Sequence, residues 1–108
     1  MTETVICHYC VKAGKESEFE DLLRLHWRTL LRLGTVTAEP SQIYRGQDAK
    51  RRPMFWEIFH WQSAAAFEKA HSHPEVLAIW EPMDALCEPR DGRPNMEFPH
   101  VERVVLEA

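Results

Sequence analysis

The sequence has no hydrophobic stretch long enough to cross a membrane, and its 108 residues include only four glycines and three cysteines. A membrane-spanning helix needs about 20 consecutive apolar residues. The first residues, Met1–Val5, have neither the basic nor the apolar region of a secretion signal. Three cysteines, an odd number, are typical of reduced thiols rather than of a disulfide framework. We therefore expect a cytoplasmic protein with no membrane partner.

An excess of positive charge is also missing, since the formal net charge is −4. Proteins that bind nucleic acids usually carry a basic surface, so we expect no nucleic-acid partner. The composition, with 44% hydrophobic and 28% charged residues and no low-complexity run, is that of an ordinary globular protein. A chain of this length predicts one domain, over residues 1–108.

The segment from Pro53 to Pro74 predicts a buried strand that leads into a helix. Its first part, Met54–Trp61, is rich in aromatic residues and contains neither glycine nor proline. Alternate residues of a strand point to opposite faces. One face carries Met54, Trp56, Ile58 and His60, and the other carries Phe55, Glu57, Phe59 and Trp61. Both faces are mainly apolar, so the strand needs cover on both sides.

The remaining elements follow from hydrophobic periodicity and from turn residues. Ser17 and Glu20 have the spacing of a capping box, and Gly34 is a typical helix end. Pro74 breaks the second helix, which Ser63 caps at its start. In chain order we predict a strand over Val5–Val11, a helix over Ser17–Leu33, a short strand over Gln42–Arg45, the Met54–Trp61 strand, a broken second helix, and a last strand over Phe98–Leu106.

This order, βαββαβ, is that of an α+β ferredoxin-like sandwich with a four-stranded antiparallel sheet and both helices on one face. The helices leave the second face of the sheet bare, although the central strand is apolar there too. A second copy of the same sheet is the simplest cover for such a face. We therefore predict a homodimer joined through the sheet faces, with Trp56 in the interface.

Several segments resemble the antibiotic biosynthesis monooxygenase family of dimeric α/β barrels. The resemblance extends over about Val5 to Cys87 and is carried by the turn Val11–Lys15, by Glu57–Phe67, by His71 and by His73–Val76. It implies a dimeric barrel and cofactor-free oxygenation of a small aromatic compound. It also implies a ligand pocket between the helices and the sheet of each protomer, with Trp61 in its wall.

The sequence differs from the haem-degrading branch of that family at the positions that carry its chemistry. That branch has Asn, Trp and His where this chain has Cys7, Ala70 and Trp80. The family's Glu two residues before the strand-ending Trp is also absent, because Phe59 occupies that position. We therefore do not expect haem degradation, and we expect no cofactor.

Three polar residues, His26, Glu57 and His71, stand out because each interrupts or ends an otherwise apolar surface. If the odd-numbered face of the central strand looks toward the helices, all three can meet in one pocket. A structural ion pair, a general-base site and a metal site of two histidines and one carboxylate all fit this composition. As a catalytic set, one histidine is the base and Glu57 orients it.

We expect the walls of the pocket to come from Cys7, Tyr9, Phe59, Trp61 and Trp80. The first functional hypothesis is a cofactor-independent monooxygenase-like enzyme for a small aromatic or phenolic ligand. The alternative is a non-catalytic ligand-binding or stress-related dimer of the same fold. The C-x-x-C spacing of Cys7 and Cys10 does not predict a metal site, because residues three apart on a strand point to opposite faces.

Overall fold

The computed structural model describes residues 1–107 and has the predicted order of elements, with the second helix in two pieces. The α+β ferredoxin-like fold is therefore confirmed. In chain order the elements are β1 (Glu3–Cys10), α1 (Glu16–Arg32), β2 (Gln42–Gln47), β3 (Pro53–Trp61), α2 (Ala64–Ser72), α3 (Pro74–Ala85), β4 (Met96–Glu97) and β5 (His100–Val101).

The sheet is antiparallel, with β2, β3, β1 and β4 side by side in that order. β5 also pairs with β1, and it keeps the register of β4: Glu97 faces His8, and Val101 faces Thr4. The two short pieces are thus one edge strand, interrupted at Phe98 and Pro99. The sheet has four strand positions and remains open in the single chain.

The last strand differs from the prediction of Phe98–Leu106. It starts two residues earlier, at Met96, and ends at Val101, so residues 102–107 form no strand. The cause is the register, which makes Val101 the partner of Thr4, close to the beginning of β1. Any continuation would set Glu102 opposite Glu3, and like charges directly opposite each other destabilise a ladder.

The helices cover one face of the sheet. Phe55, Glu57, Phe59 and Trp61 of β3 are buried beneath them, together with Val5, Cys7 and Tyr9 of β1. The other side, here called the open face, carries Ile6, His8, Tyr44, Trp56 and Ile58. Trp56 and Ile58 are only half-buried there, and Tyr44 is 55% exposed. The predicted alternation of β3 is therefore the observed one.

The first helix ends as predicted but begins differently. Gly34 has φ +72°, and its N–H donates to the carbonyl of Leu31 while Thr35 N–H donates to that of Leu30. This is a Schellman motif. The predicted capping box at Ser17 is wrong, because the N-cap residue is Lys15 and it makes no side-chain cap.

Both pieces of the second helical segment are capped, and the cap at Ser63 is the predicted one. Ser63 Oγ accepts a hydrogen bond of 3.1 Å from Ala66 N–H at the start of α2. His73 Nδ1 accepts one of 3.2 Å from Glu75 N–H at the start of α3, where Pro74 occupies the first helical position. Among residues 1–107, no helix has the length and hydrophobicity of a membrane span.

Replacement of Gly34 tests the turn that ends α1. A Cβ atom at this position meets no other atom within 4 Å, so the change acts through the backbone alone. We expect Gly34→Ala to lower the free energy of unfolding by about 1 kcal/mol, since alanine is strained at positive φ. Gly34→Asn, which tolerates this conformation, should lose less. If urea denaturation shows equal losses of unfolding free energy in the two variants, the explanation by positive φ is contradicted.

Candidate functional site

Glu57 is the most deeply buried charged residue of the site, with 0% of its surface exposed. Its Oε1 accepts a hydrogen bond of 2.7 Å from the hydroxyl of Tyr9. Its Oε2 lies 3.1 Å from Nδ1 of His26, which is itself 2% exposed. A buried carboxylate is tolerated only when such donors compensate for the lost water.

The three residues come together because of strand register and helix periodicity. Cys7 pairs with Glu57, and this places Tyr9 diagonally opposite it on the same face of the sheet. Diagonal neighbours lie about 7–8 Å apart, which a tyrosine side chain can span. His26 belongs to the buried stripe of α1, which also contains Leu23 and Leu30. The helix thus presents one polar residue directly above the carboxylate.

His26 makes a second hydrogen bond on its other ring nitrogen. The indole N–H of Trp80, in α3, donates to His26 Nε2 at 2.9 Å. An indole nitrogen can only donate, so Nε2 must accept. Nδ1 then carries the hydrogen of the neutral ring and donates it to Glu57. The network therefore assigns one tautomer to His26 and connects α1, α3 and β3 through its side chain.

A cavity of about 140 Å³ lies between the helices and the sheet, next to this network. Its lining is almost wholly apolar, apart from two histidines and a thiol. The lining residues are Val5, Cys7, His26, Phe59, Trp61, Phe67, His71, Leu77, Trp80, Met96 and Phe98. Four of the five expected wall residues thus lie there. Tyr9 does not, because its hydroxyl points to Glu57.

His71 and Glu57 do not meet in one pocket, contrary to the expectation from the sequence. His71 is exposed at the cavity, where its ring packs against Phe67 at 4.4 Å and Trp80 at 4.8 Å between centroids. Within the described residues it forms no hydrogen bond with Glu57. The reason is that α2 ends at Ser72, so His71 lies at the mouth of the cavity and not above the carboxylate. No three His, Cys, Asp or Glu side chains among residues 1–107 are placed to hold a metal ion.

The hydroxyl and thiol groups around Glu57 are held in their protonated forms. Burial, and next the negative charge of Glu57, raises the pKa of the Tyr9 hydroxyl well above its ordinary value. The same two causes raise the pKa of the Cys7 thiol. Tyr9 therefore serves as a hydrogen-bond donor at neutral pH, and Cys7 is a neutral wall of the cavity. Cys10 lies on the opposite side of the sheet, as strand alternation requires.

Sequence reasoning missed part of the cavity wall. Met96 belongs to the edge strand and Phe98 to its interruption, and the positions of both depend on the pairing of that strand with β1. It also missed the indole N–H of Trp61, a buried donor without a hydrogen-bond partner in the described part of the chain. A tryptophan on the same strand face as Glu57 was the available signal for the latter.

Removal of the Tyr9 hydroxyl tests its role toward Glu57. We expect Tyr9→Phe to lower the free energy of unfolding by about 1–3 kcal/mol, because the buried carboxylate loses one of its two donors. Ser17→Ala is the control, since it removes an exposed hydroxyl group on α1, away from the open face and without a role as a cap, and it should change stability by less than about 0.5 kcal/mol. Urea denaturation of both variants measures this difference. Equal stability of the two variants would contradict the assigned role.

No protein-family model matches the sequence, and no curated protein sequence matches it at a significant level. Solved structures do match its fold. SnoaB, a cofactor-independent oxygenase from Streptomyces nogalater whose structure was solved for a mutant form, superposes with a TM-score of 0.74 at 17% identity. The alignment covers 97% of this chain and 95% of SnoaB.

Two further structures support the same assignment of fold. A putative antibiotic biosynthesis monooxygenase from Nitrosomonas europaea matches with a TM-score of 0.69 at 12% identity, covering 95% of this chain and 90% of the other. A dimeric ferredoxin-like protein of unknown function from Jannaschia sp. CCS1 matches with a TM-score of 0.67 at 13% identity. The alignment covers 95% of this chain and 100% of the other. This chain therefore has the fold on which the antibiotic biosynthesis monooxygenases are built.

Proposed function

We propose that this protein is a cofactor-independent, monooxygenase-like enzyme that acts on a small phenolic compound. The observation that carries the proposal is His26, a neutral histidine on the wall of an apolar cavity and oriented from behind by Glu57. The likeness in fold to SnoaB, a cofactor-independent oxygenase, supports it. We keep the cytoplasmic location that the sequence predicts and propose no nucleic-acid partner.

The size of the cavity limits the substrate. A cavity of about 140 Å³ compares with roughly 150 Å³ for an apolar protein cavity that holds one benzene molecule. Pockets for larger ligands are usually about 300–1,000 Å³. We therefore propose a single-ring phenol and not a polycyclic compound. The indole N–H of Trp61, which has no hydrogen-bond partner among residues 1–107, is the donor we propose for a second oxygen atom on such a ring.

The proposed reaction begins with a proton transfer. The phenolic O–H bond breaks and its proton goes to Nε2 of His26, whose positive charge then lies beside the carboxylate of Glu57. The phenolate ring reduces molecular oxygen: a carbon–oxygen bond forms and the O–O bond breaks. One oxygen atom stays on the ring as a quinone carbonyl. The other leaves as water, with the hydrogens of the phenol O–H and of the attacked ring carbon.

A non-catalytic ligand-binding role is the second candidate, and one feature favours it. Both ring nitrogens of His26 are already hydrogen-bonded, and Glu57 has no surface in the cavity. A base in this state has to lose one partner before it can accept a proton. The metal alternative has less support, because His71 does not join His26 and Glu57 as a third ligand.

We also propose that the protein forms a homodimer through the open face of the sheet. This face exposes Tyr44 and leaves Trp56 and Ile58 half-buried in the single chain, and exposed apolar patches of this kind mark interfaces. The Jannaschia protein, which shares the fold, is described as dimeric. The cavity lies on the other side of the sheet, so each protomer keeps its own site.

Two histidine variants test the assignment of the base. We expect His26→Gln to lower the rate of oxygen consumption with single-ring phenols by about 10²- to 10⁴-fold, the usual contribution of a general base. His71→Gln should change the rate by only a few-fold, because His71 lies at the mouth. A loss of oxygen consumption in His71→Gln alone would identify His71, and not His26, as the base. Binding without oxygen consumption above the uncatalysed rate would favour the non-catalytic role.

A charged side chain on the open face tests the dimer. We expect Ile58→Arg to convert the dimer to monomers, since an unpaired charge would be buried between two sheets. Leu25→Arg is the control, because Leu25 is 49% exposed on α1 and away from the sheet. Size-exclusion chromatography with light scattering gives the masses. A wild-type monomer, or a dimer in Ile58→Arg, would rule out this interface.

A further inference from the structure

Trp80 is hydrogen-bonded to Nε2 of His26, the ring nitrogen that must be free if His26 acts as a base. Its indole N–H donates to Nε2 at 2.9 Å, while Nδ1 is bonded to Glu57. The cavity is bounded by both Trp80 and His26. A ligand can therefore reach Nε2 only if it takes a place between these two side chains or displaces one of them.

Trp80 is the partner that can yield. Glu57 is fixed in the middle of the sheet, and His26 is fully buried in α1. Trp80 is only half-buried, and its ring contacts exposed groups at the cavity mouth, with His71 at 4.8 Å and Phe98 at 6.5 Å between centroids. The indole packs at the edge of the core, so its movement toward solvent breaks some contacts there but leaves Glu57 and His26 in place.

We propose that a ligand hydroxyl inserts between Trp80 and His26, which makes Trp80 a positioning residue that selects hydroxyl compounds and stabilises their anions. This inference rests on the proposed function, because it uses His26 as the base. When a ligand group moves between the indole N–H of Trp80 and Nε2 of His26, both keep a hydrogen bond only if one atom of that group accepts from the indole and donates to Nε2. A hydroxyl does this, whereas an ether or a ketone oxygen only accepts and leaves Nε2 without a donor.

The displacement that insertion requires is small. Two hydrogen bonds of about 2.8 Å that meet at one oxygen separate the two nitrogens by about 4.6 Å. The indole therefore withdraws by less than about 2 Å from its present 2.9 Å contact. Such a shift is within the reach of a half-buried side chain at a cavity mouth.

Insertion also gives Trp80 a role after the proton has moved. The O–H bond breaks and an N–H bond forms on Nε2, with no change in the number of electrons on either partner. The oxygen then carries the negative charge and still accepts from the indole N–H. A hydrogen bond to an ionised acceptor is stronger than one to a neutral acceptor. Trp80 thus favours the phenolate over the phenol, as the donors of an oxyanion site do.

The ionisation of a bound probe tests this role directly. 4-Nitrophenol is a single-ring phenol whose phenolate absorbs visible light, so its ionised fraction at saturation can be read from a spectrum at several pH values. We expect the ratio of bound phenolate to bound phenol to fall at least tenfold in Trp80→Phe, which keeps an aromatic ring but lacks the N–H. Trp27→Phe, at a tryptophan that contacts Phe59 beside the network, should leave the ratio unchanged.

A methyl ether gives a second test that uses the wild-type protein alone. 4-Nitroanisole has nearly the same shape but no hydrogen to donate, so we expect it to bind at least tenfold more weakly than 4-nitrophenol. In ¹⁵N-labelled wild-type protein, the indole signal of Trp80 should shift with 4-nitrophenol and not with the ether. These measurements remain possible if Trp80→Phe does not fold.

The outcomes separate this inference from the proposed function. An unchanged phenolate ratio in Trp80→Phe, or equal binding of the phenol and the ether, would overturn insertion. The effect of His26→Gln on oxygen consumption would still support the enzyme. Absence of binding by both probes would overturn the insertion and the phenol specificity together. A reduced phenolate ratio, with the ether rejected, would support the role of Trp80.

Discussion

The burial of the Glu57 carboxylate is the constraint on which the rest of the structure depends. A carboxylate with no exposed surface needs donors from its neighbours, and these come from different elements, Tyr9 of β1 and His26 of α1. A shift of β1 against β3 by one residue would turn Tyr9 to the open face. A rotation of α1 would remove His26. One acidic residue thus fixes both the register of the central strands and the orientation of the first helix.

Much of the fold could be predicted because its signals are local. The alternation in β3, the glycine after α1 and the proline within the second helical segment each act over a few residues. Ser17 is different, since α1 begins at Glu16, after the N-cap residue Lys15, and the predicted cap is not formed. The end of the last strand also depends on a distant partner, because the pairing of Val101 with Thr4 determines where the ladder stops. No short segment of the sequence specifies that register, because the two paired residues are far apart in the chain.

The site was predictable to the extent that polar residues interrupt apolar faces. His26 and Glu57 could be identified in this way, and the side of the sheet they share follows from strand alternation. Their contact with Trp80 could not be predicted, because it depends on how α3 is rotated relative to α1. His71 has the same local signal as His26, yet it lies at a helix end and faces the mouth. Periodicity gives the face of an element but not the depth of a residue in the fold.

The interruption of the edge strand at Phe98 and Pro99 has a consequence for the dynamics of the cavity. Proline has no N–H to donate, and each piece of this strand contributes only two residues to the ladder, against eight pairs between β1 and β3. Regions with few backbone hydrogen bonds to the rest of a sheet unfold locally at a lower free energy than the core. Met96 in this strand and Phe98 at its interruption both line the cavity. We therefore expect local unfolding of the edge to expose the cavity while the central strands stay folded, with faster amide hydrogen exchange along this wall than in β1 and β3.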